Sequence, residues 1–193
     1  MAPGSEYGSG KATLRRQLRQ RRAALLPQVE VQVQQQAWAH VPPVLGRGGR
    51  LGIYWPLPGE VDLRGLAQHA ELHGRLALPR VENGGLQYRA WDPTCPLSPD
   101  ATGIPAPNEG LPLTPQQLGV LLVPALGLDR RGLRLGYGGG WFDRLRAEPL
   151  WRAVPALAVL PSGCLLEALP ADPWDLPFPG WLDEQGLHWL QPV

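Results

Sequence analysis

The residues best suited to chemistry lie together in Arg134-Leu-Gly-Tyr-Gly-Gly-Gly-Trp-Phe-Asp-Arg144. Gly136, Gly138, Gly139 and Gly140 permit positive φ and bare backbone, so successive N–H groups can turn toward an anion with no Cβ in the way. Helical spacing resumes near Trp141, which sets a helix N-terminus and its favourable dipole against the same spot. Arg134 and Arg144 flank the loop as donors of charge-assisted bonds to phosphate oxygens. Asp143 is a hard oxygen ligand of the kind that holds Mg²⁺ shared with nucleotide phosphates. A glycine-rich turn alone is commonly just a tight loop; the arginines and the aspartate in register with it turn the reading toward phosphate. Two familiar phosphate motifs do not fit. Walker A requires Gly-Lys-Ser/Thr, and the dinucleotide fingerprint places its glycines immediately after a strand, whereas about ten residues separate Leu126 from Gly136.

A second cluster lies near the start of the chain. Lys11, Arg15, Arg19 and Arg22 fall at spacings of four, four and three and share one face of a helix, with Leu14, Leu18 and Leu25 beside them. Such a stripe is ordinarily a solvated basic face over an apolar seam. Lys11, however, is the only lysine of the chain, and a stripe of cations can close over a nucleotide held by the glycine loop and supply the point charge the loop lacks. A third cluster is Ile53-Tyr-Trp-Pro-Leu-Pro-Gly-Glu60. Trp55 can stack on a flat heteroaromatic ring and Glu60 can accept from ring N–H groups; equally, Trp55 can be ordinary core and Glu60 a helix cap, a task Asp62 would serve as well. His69 and His73 have helical spacing but no third metal ligand, and no nucleophile elbow or Ser-His-Asp pattern is present, so covalent catalysis by the protein is not expected.

The elements that must position these residues follow from apolar patterning. Residues 11–39 are good helix formers, interrupted by Pro27, which predicts two helices. Residues 50–57, 75–81, 86–91, 119–126 and 153–160 read as strands, and residues 61–72 and 140–148 have helical spacing. Residues 92–115 read as loop. Alternating strands and helices predict an α/β fold, a single domain with a largely parallel sheet in a Rossmann-like layered arrangement and a long N-terminal helical segment. Ligands of such sheets gather beyond the carboxyl ends of the strands.

With 193 residues, 44% hydrophobic content and a formal charge of +1, the chain has material for one core and no global field to draw nucleic acid or an anionic membrane. Residues 1–10 are expected to be a flexible lead-in to a domain over 11–193. They lack the apolar stretch of a signal peptide, and no run approaches a membrane span, so a cytoplasmic protein is expected. Cys95 and Cys164 match no metal pattern and are expected to be reduced and structural.

Taken together, these residues resemble the 5-formyltetrahydrofolate cyclo-ligase family, also called methenyltetrahydrofolate synthetase. The likeness runs in order through Lys11-x-x-Leu-Arg15, the strand ending in Glu60, Leu78-Pro79-Arg80-Val81, Val123-Pro124 to Asp129, and Arg134-Leu-Gly-Tyr-Gly-x-Gly with Asp143-Arg144, the last block being the most specific. The resemblance implies an ATP- and Mg²⁺-dependent ligase that converts 5-formyltetrahydrofolate into 5,10-methenyltetrahydrofolate and releases ADP and phosphate. It assigns ATP binding to Lys11, Ala12, Thr13, Leu14 and Arg15 and to Arg134, Leu135, Gly136, Tyr137, Gly138, Gly139, Gly140, Trp141 and Phe142. It assigns folate contacts to Arg15, Trp55, Glu60, Tyr137, Gly138, Gly139, Gly140 and Trp141, the metal to Asp143, and the catalytic charges to Lys11, Arg134 and Asp143. The implied partners are small molecules alone, with no nucleic acid or membrane, and the implied state is a monomer.

Three departures stand out. Trp141-Phe142 occupies the place of two tyrosines, Gly103-Ile-Pro-Ala-Pro107 lacks an acidic residue before its second proline, and Pro179 stands where relatives carry a metal-associated aspartate, for which Asp175 or Asp183 is a candidate substitute. A rival reading of the arginine-rich helix is a non-catalytic nucleotide or RNA-binding module.

Overall fold

The computed structural model describes residues 6–46 and 48–190, with side chains from residue 10 onward. Of the expected lead-in over 1–10, residues 1–5 lie outside the described residues, and residues 6–10 already belong to the first helix. That helix, α1, runs unbroken over Glu6–Leu45 with Pro27, Pro42 and Pro43 inside it, so the expected break at Pro27 does not occur. The reason is energetic. An interior proline costs about 3 kcal/mol, whereas each apolar side chain taken fully out of water contributes about 1.5–3 kcal/mol. Leu18, Leu26, Val33, Ala37, Val41 and Leu45 are all buried along one stripe.

The strands of the main sheet are β1 (Arg50–Gly52), β2 (Leu76–Glu82), β3 (Gly85–Trp91), β6 (Leu118–Pro124), β9 (Ala156–Val159), β11 (Gly180–Asp183) and β12 (Gly186–Trp189). Their order is β12-β11-β9-β6-β1-β2-β3. The five central strands are parallel, and each edge is an antiparallel hairpin strand. A largely parallel sheet was expected and is present. The edge hairpin β11–β12 was not anticipated, because its Trp-Leu and Leu-His runs are too short to stand out as periodic.

Successive residues of β6 point to opposite faces of the sheet, as strand geometry requires. Val120 and Leu122 join a core with Leu26 to Leu45 of α1 and with Leu63, Leu66 and Leu72. Leu121 and Val123 join a second core against α2 (Trp141–Ala147) and α3 (Pro149–Arg152), through Leu145 and Trp151. The result is one α/β domain of three layers. Residues 61–72, expected to be a helix, form two 3₁₀ turns over Arg64–Gln68 and Ala70–Leu72; Leu63, Leu66 and Leu72 are buried by this tighter path. The expected loop at 92–115 contains a small hairpin, β4 (Leu97–Pro99) with β5 (Pro105–Pro107).

A satellite sheet carries the chain toward the glycine loop. It consists of β7 (Gly127–Asp129), β8 (Arg134–Leu135) and β10 (Leu165–Leu166), in the order β10-β7-β8. Asp129 ties its turn together by accepting from the N–H groups of Arg131 (2.9 Å), Leu133 (3.0 Å) and Leu169 (2.9 Å). Leu126, Leu135 and Leu169 pack with Leu18, and Leu14 and Tyr137 flank them. This small core presses the first half of α1 against the glycine loop.

Candidate active site

Strand order reverses between β1 and β6, since the chain proceeds from β1 outward to β2 and β3 but from β6 to β9 and β11. In a doubly wound sheet that reversal opens a crevice beyond the carboxyl ends of the two strands. A cavity of about 220 Å³ occupies this position, lined among others by Trp55, Glu60, Pro79, Arg134, Tyr137 and Trp141. Pro79 is tolerated within β2 because it lies beyond Ala77, the last residue paired with β1. The strand is therefore free to carry an apolar wall into the crevice.

The floor of the cavity is polar and buried. Glu60 and Arg22 each keep only 2% of their side-chain surface, with 4.0 Å between Glu60 Oε1 and Arg22 Nη1. Glu60 Oε2 accepts from the N–H of Leu57 at 2.8 Å, whereas Oε1 has no hydrogen-bond partner among the described residues. Burial pushes the Glu60 carboxyl above its ordinary value; the Leu57 N–H, the Tyr137 hydroxyl and the charges of Arg22 and Arg134 pull the other way without cancelling it. Arg22 donates to the Ala125 carbonyl at 3.1 Å and to the Tyr137 hydroxyl. Burial pushes Tyr137 up to about 12, so its hydroxyl stays protonated, accepting from Arg22 and turning its O–H toward the Glu60 carboxylate. Helix capping is not the role of Glu60. Asp62 does the local work, accepting from the N–H of Arg64 at 3.0 Å and pairing with its guanidinium. Trp55 meets both of its expectations in part. It packs against the main core, lines the cavity, and carries the Arg64 guanidinium 4.3 Å from its ring centroid.

One wall is the glycine loop. Gly138 and Gly140 adopt φ of 102° and 65°, conformations that strain any residue with a Cβ. The guanidinium of Arg15 lies beside Gly138, and its Nε donates to the carbonyl of Gly136 at 3.0 Å. Arg134 is 5% exposed, donates to the Pro124 carbonyl at 2.9 Å and approaches Asp143 at 3.4 Å. Leu135 is buried in the satellite core, and Phe142 and Trp141 line the cavity. Arg144 is exposed and folds back on its own loop, donating to the Gly139 carbonyl at 2.9 Å and stacking on Trp141. Of the two flanking arginines, Arg134 therefore faces the cavity and Arg144 does not line it.

Lys11 does not line the cavity; one turn of α1 before Arg15, its Nζ bonds to Asp172 at 2.5 Å and Asp175 at 2.9 Å, at the outer rim of the glycine loop's side of the site. Ala12 and Thr13 are exposed, and Leu14 packs in the satellite core. Burial along the stripe is uneven: Lys11 and Arg15 are half-buried, Arg19 is exposed with its guanidinium 5.4 Å from the Tyr137 ring centroid, and Arg22 is fully enclosed. A helix offering its cations to RNA would leave them solvated, and here two of the four are spent on the protein's own loop.

Asp143 keeps 41% of its side-chain surface, and among the described residues no group of three or more His, Cys, Asp or Glu converges as a metal cage. The donor set accordingly fits Mg²⁺ held by one carboxylate with water and substrate phosphates, which is this ion's usual mode beside nucleotides. Of the two candidate substitutes for an aspartate at Pro179, Asp183 is consumed in the β11–β12 turn by Gln185, Gly186 and His188, and Asp175 faces Lys11. His69 accepts from the N–H of Glu71 and packs on Trp38, and Cys95 and Cys164 are unpaired thiols as expected.

Sequence reasoning passed over several lining residues, notably Tyr54, Asp100, Thr102 and Ile104. Asp100 accepts from the N–H groups of Val81, Thr102 and Ile104, so its role is to fold the β4–β5 hairpin over the cavity. Its local signature, Asp-x-Thr-Gly, is that of an ordinary Asx turn, which carries no signal of a ligand.

A crevice at the reversal point of a doubly wound sheet, with a glycine loop on one wall and a buried carboxylate in its floor, defines an α/β enzyme acting on small molecules. The family model described as 5-formyltetrahydrofolate cyclo-ligase matches residues 8–180, and the chain belongs to that family. It is 30% identical over 173 residues to the 5-formyltetrahydrofolate cyclo-ligase of Escherichia coli K12, covering 84% of this chain and 93% of that protein. The corresponding enzyme of Mycolicibacterium smegmatis is 33% identical over 126 residues, 62% of this chain and 63% of that one. The NMR structure of Aquifex aeolicus 5,10-methenyltetrahydrofolate synthetase superposes with a TM-score of 0.75 at 29% identity, covering 95% of this chain and 94% of that chain. The synthetase structure from Mycoplasma pneumoniae shares the fold, with a TM-score of 0.69 at 22% identity over 90% of this chain and 98% of that one. No helix among the described residues is long and apolar enough to cross a membrane.

Proposed function

We propose that this chain converts 5-formyltetrahydrofolate and ATP into 5,10-methenyltetrahydrofolate, ADP and phosphate in a Mg²⁺-dependent reaction. The observation that carries the reading is the meeting, in one crevice, of a phosphate-suited glycine loop and a buried carboxylate backed by Arg22 and Tyr137. The reading takes the enzyme to be a cytoplasmic monomer whose partners are small molecules, without nucleic acid or membrane.

In this reading the formyl oxygen attacks the γ-phosphorus, ADP departs, and an iminium phosphate ester forms at N5. N10 then attacks the formyl carbon and loses its proton, phosphate leaves with the C–O bond electrons, and the five-membered ring closes. The protein supplies position and charge, as phosphoryl transfer generally requires. Glu60 Oε1 accepts from the pterin N–H edge, while Trp55 and Trp141 flank the flat ring. The backbone of Gly136, Gly138, Gly139 and Gly140 cradles phosphate oxygens beside Arg15, Tyr137 and Phe142. Arg134 neutralises charge from the buried side. Lys11 does so from the rim, with Ala12, Thr13 and Leu14 forming the exposed turn that carries it. Asp143 would hold Mg²⁺, which supplies further charge neutralisation on the phosphates when bound.

Incubation of the protein with ATP, Mg²⁺ and 5-formyltetrahydrofolate tests the proposal through methenyltetrahydrofolate absorbance. Product formation is expected only when ATP is present. Absence of product at high enzyme concentration would overturn it.

A further inference from the structure

Arg22 joins four separately placed parts of the molecule. It projects from α1, donates to Ala125 at the end of β6, donates to Tyr137 of the glycine loop, and stands 4.0 Å from Glu60 beyond β1. Stability gives little reason for a guanidinium there, because an apolar residue of similar volume commonly replaces a buried ion pair at no loss. Recognition gives a better one. Glu60 lines the cavity and its side chain is almost wholly buried, and a carboxylate so buried without a nearby cation would take up a proton and lose its acceptor character.

We propose that Arg22 is a positioning residue for the folate substrate, fixing the Glu60 carboxylate and the Tyr137 hydroxyl in the geometry that receives the pterin edge. The inference rests on the function proposed above. The charged and titratable groups facing Glu60 are few. Tyr54, from the segment after β1, is occupied in donating to Val61, and Asp62 is paired with Arg64. Arg134 shares its charge with Asp143, and Tyr137 is neutral and held by Arg22. Among the described residues Arg22 is therefore the cation whose nearest carboxylate is Glu60. A lysine would restore charge without the planar fork that serves Ala125 and Tyr137 together.

The wild-type assay comes first, since its failure would strike the cyclo-ligase reading and leave the role of Arg22 to be read on the free protein. Given turnover, Arg22→Met is expected to raise the KM for 5-formyltetrahydrofolate about tenfold or more, because a buried carboxylate is left unpaired, while the KM for ATP changes by less than about twofold. The pH below which the folate KM climbs should move upward by about one to three units, the usual effect of removing a cation at this distance. Arg22→Lys should return that midpoint toward the wild-type value while leaving the KM raised. If Arg22→Met does not fold, Arg22→Gln, which keeps donors but no charge, carries the same test. Independently of activity, carboxyl ¹³C NMR should show Glu60 titrating at higher pH in the variant than in the wild type. An equal change in both KM values, or an unmoved midpoint in the pH profile and the NMR titration, would overturn the proposal.

Discussion

The floor of the crevice and its rim use similar residues in opposite ways. On the floor, Arg22, Glu60 and Arg134 keep between 2% and 5% of their side-chain surfaces, and their geometry is set before any ligand arrives. At the rim, Asp143 keeps 41% and Lys11 15%, and the lysine is held by acids that phosphate oxygens can join. An ammonium has three donors; Asp172 and Asp175 take two, which leaves one for a phosphate. The difference teaches a division of labour. Discrimination of a heterocyclic edge profits from desolvated, prearranged acceptors, since a wrong partner leaves them unsatisfied. Handling of a polyanion profits from accessible charges that can change partners.

The largest expected effect breaks the rim. Asp143→Ala should lower turnover on the order of a hundredfold or more, the range found when a charge-stabilising group is removed, with an unchanged circular dichroism spectrum because the side chain is partly solvated. A loss below tenfold would show that the rim carbonyls and water hold the metal without it.

Next comes the floor. Glu60→Gln should raise the folate KM roughly tenfold or more, as expected for a hydrogen bond to a charged acceptor, and leave the KM for ATP near its wild-type value. Burial raises the Glu60 pKa above the ordinary 4.5, and the ionised form is the acceptor. Wild-type folate binding should therefore weaken as pH falls through that raised value, and the Gln variant should lack this limb. Equal effects on both substrates would erase the distinction between floor and rim.

The smallest effect concerns Lys11. Lys11→Met should raise the KM for ATP about fivefold to tenfold, the worth of one charge-assisted bond, and lower thermal stability by about 1 kcal/mol. Burial opposes its charge, but the bonds to Asp172 and Asp175 outweigh it and hold its pKa above 10.5. The stabilisation it contributes is thus complete below 10.5 and lost only as pH rises through the higher folded value, so melting curves of variant and wild type should differ by a constant amount between pH 6 and 9.

Much of the frame was legible locally. The five apolar runs read as strands each overlap one, β1, β2, β3, β6 and β9; for the central β6 and β9 the reason is that burial on both faces of a parallel sheet demands continuous apolar sequence. The segment around Trp141 is helical as its spacing predicts. Pro27 misled because a local rule of about 3 kcal/mol met a larger sum of burial terms along α1. Residues 61–72 misled because a three-to-four-residue spacing of leucines suits short 3₁₀ turns as well as an α-helix. The β11–β12 hairpin left almost no local trace.

By itself the sequence determined that Gly138 and Gly140 can take positive φ beside two arginines and an aspartate, that four cations share one helical face, and that Glu60 lies in a turn beyond a strand. These are matters of residue type and short spacing, which the chain dictates directly. Only the tertiary structure decided that Arg22 is interior and stands behind Glu60, that Arg15 serves the glycine loop, and that Lys11 meets Asp172, 161 residues away. Such partnerships depend on how the satellite core seats α1 against the loop, and the burial that sets Glu60's affinity for its proton exists only once that packing is complete.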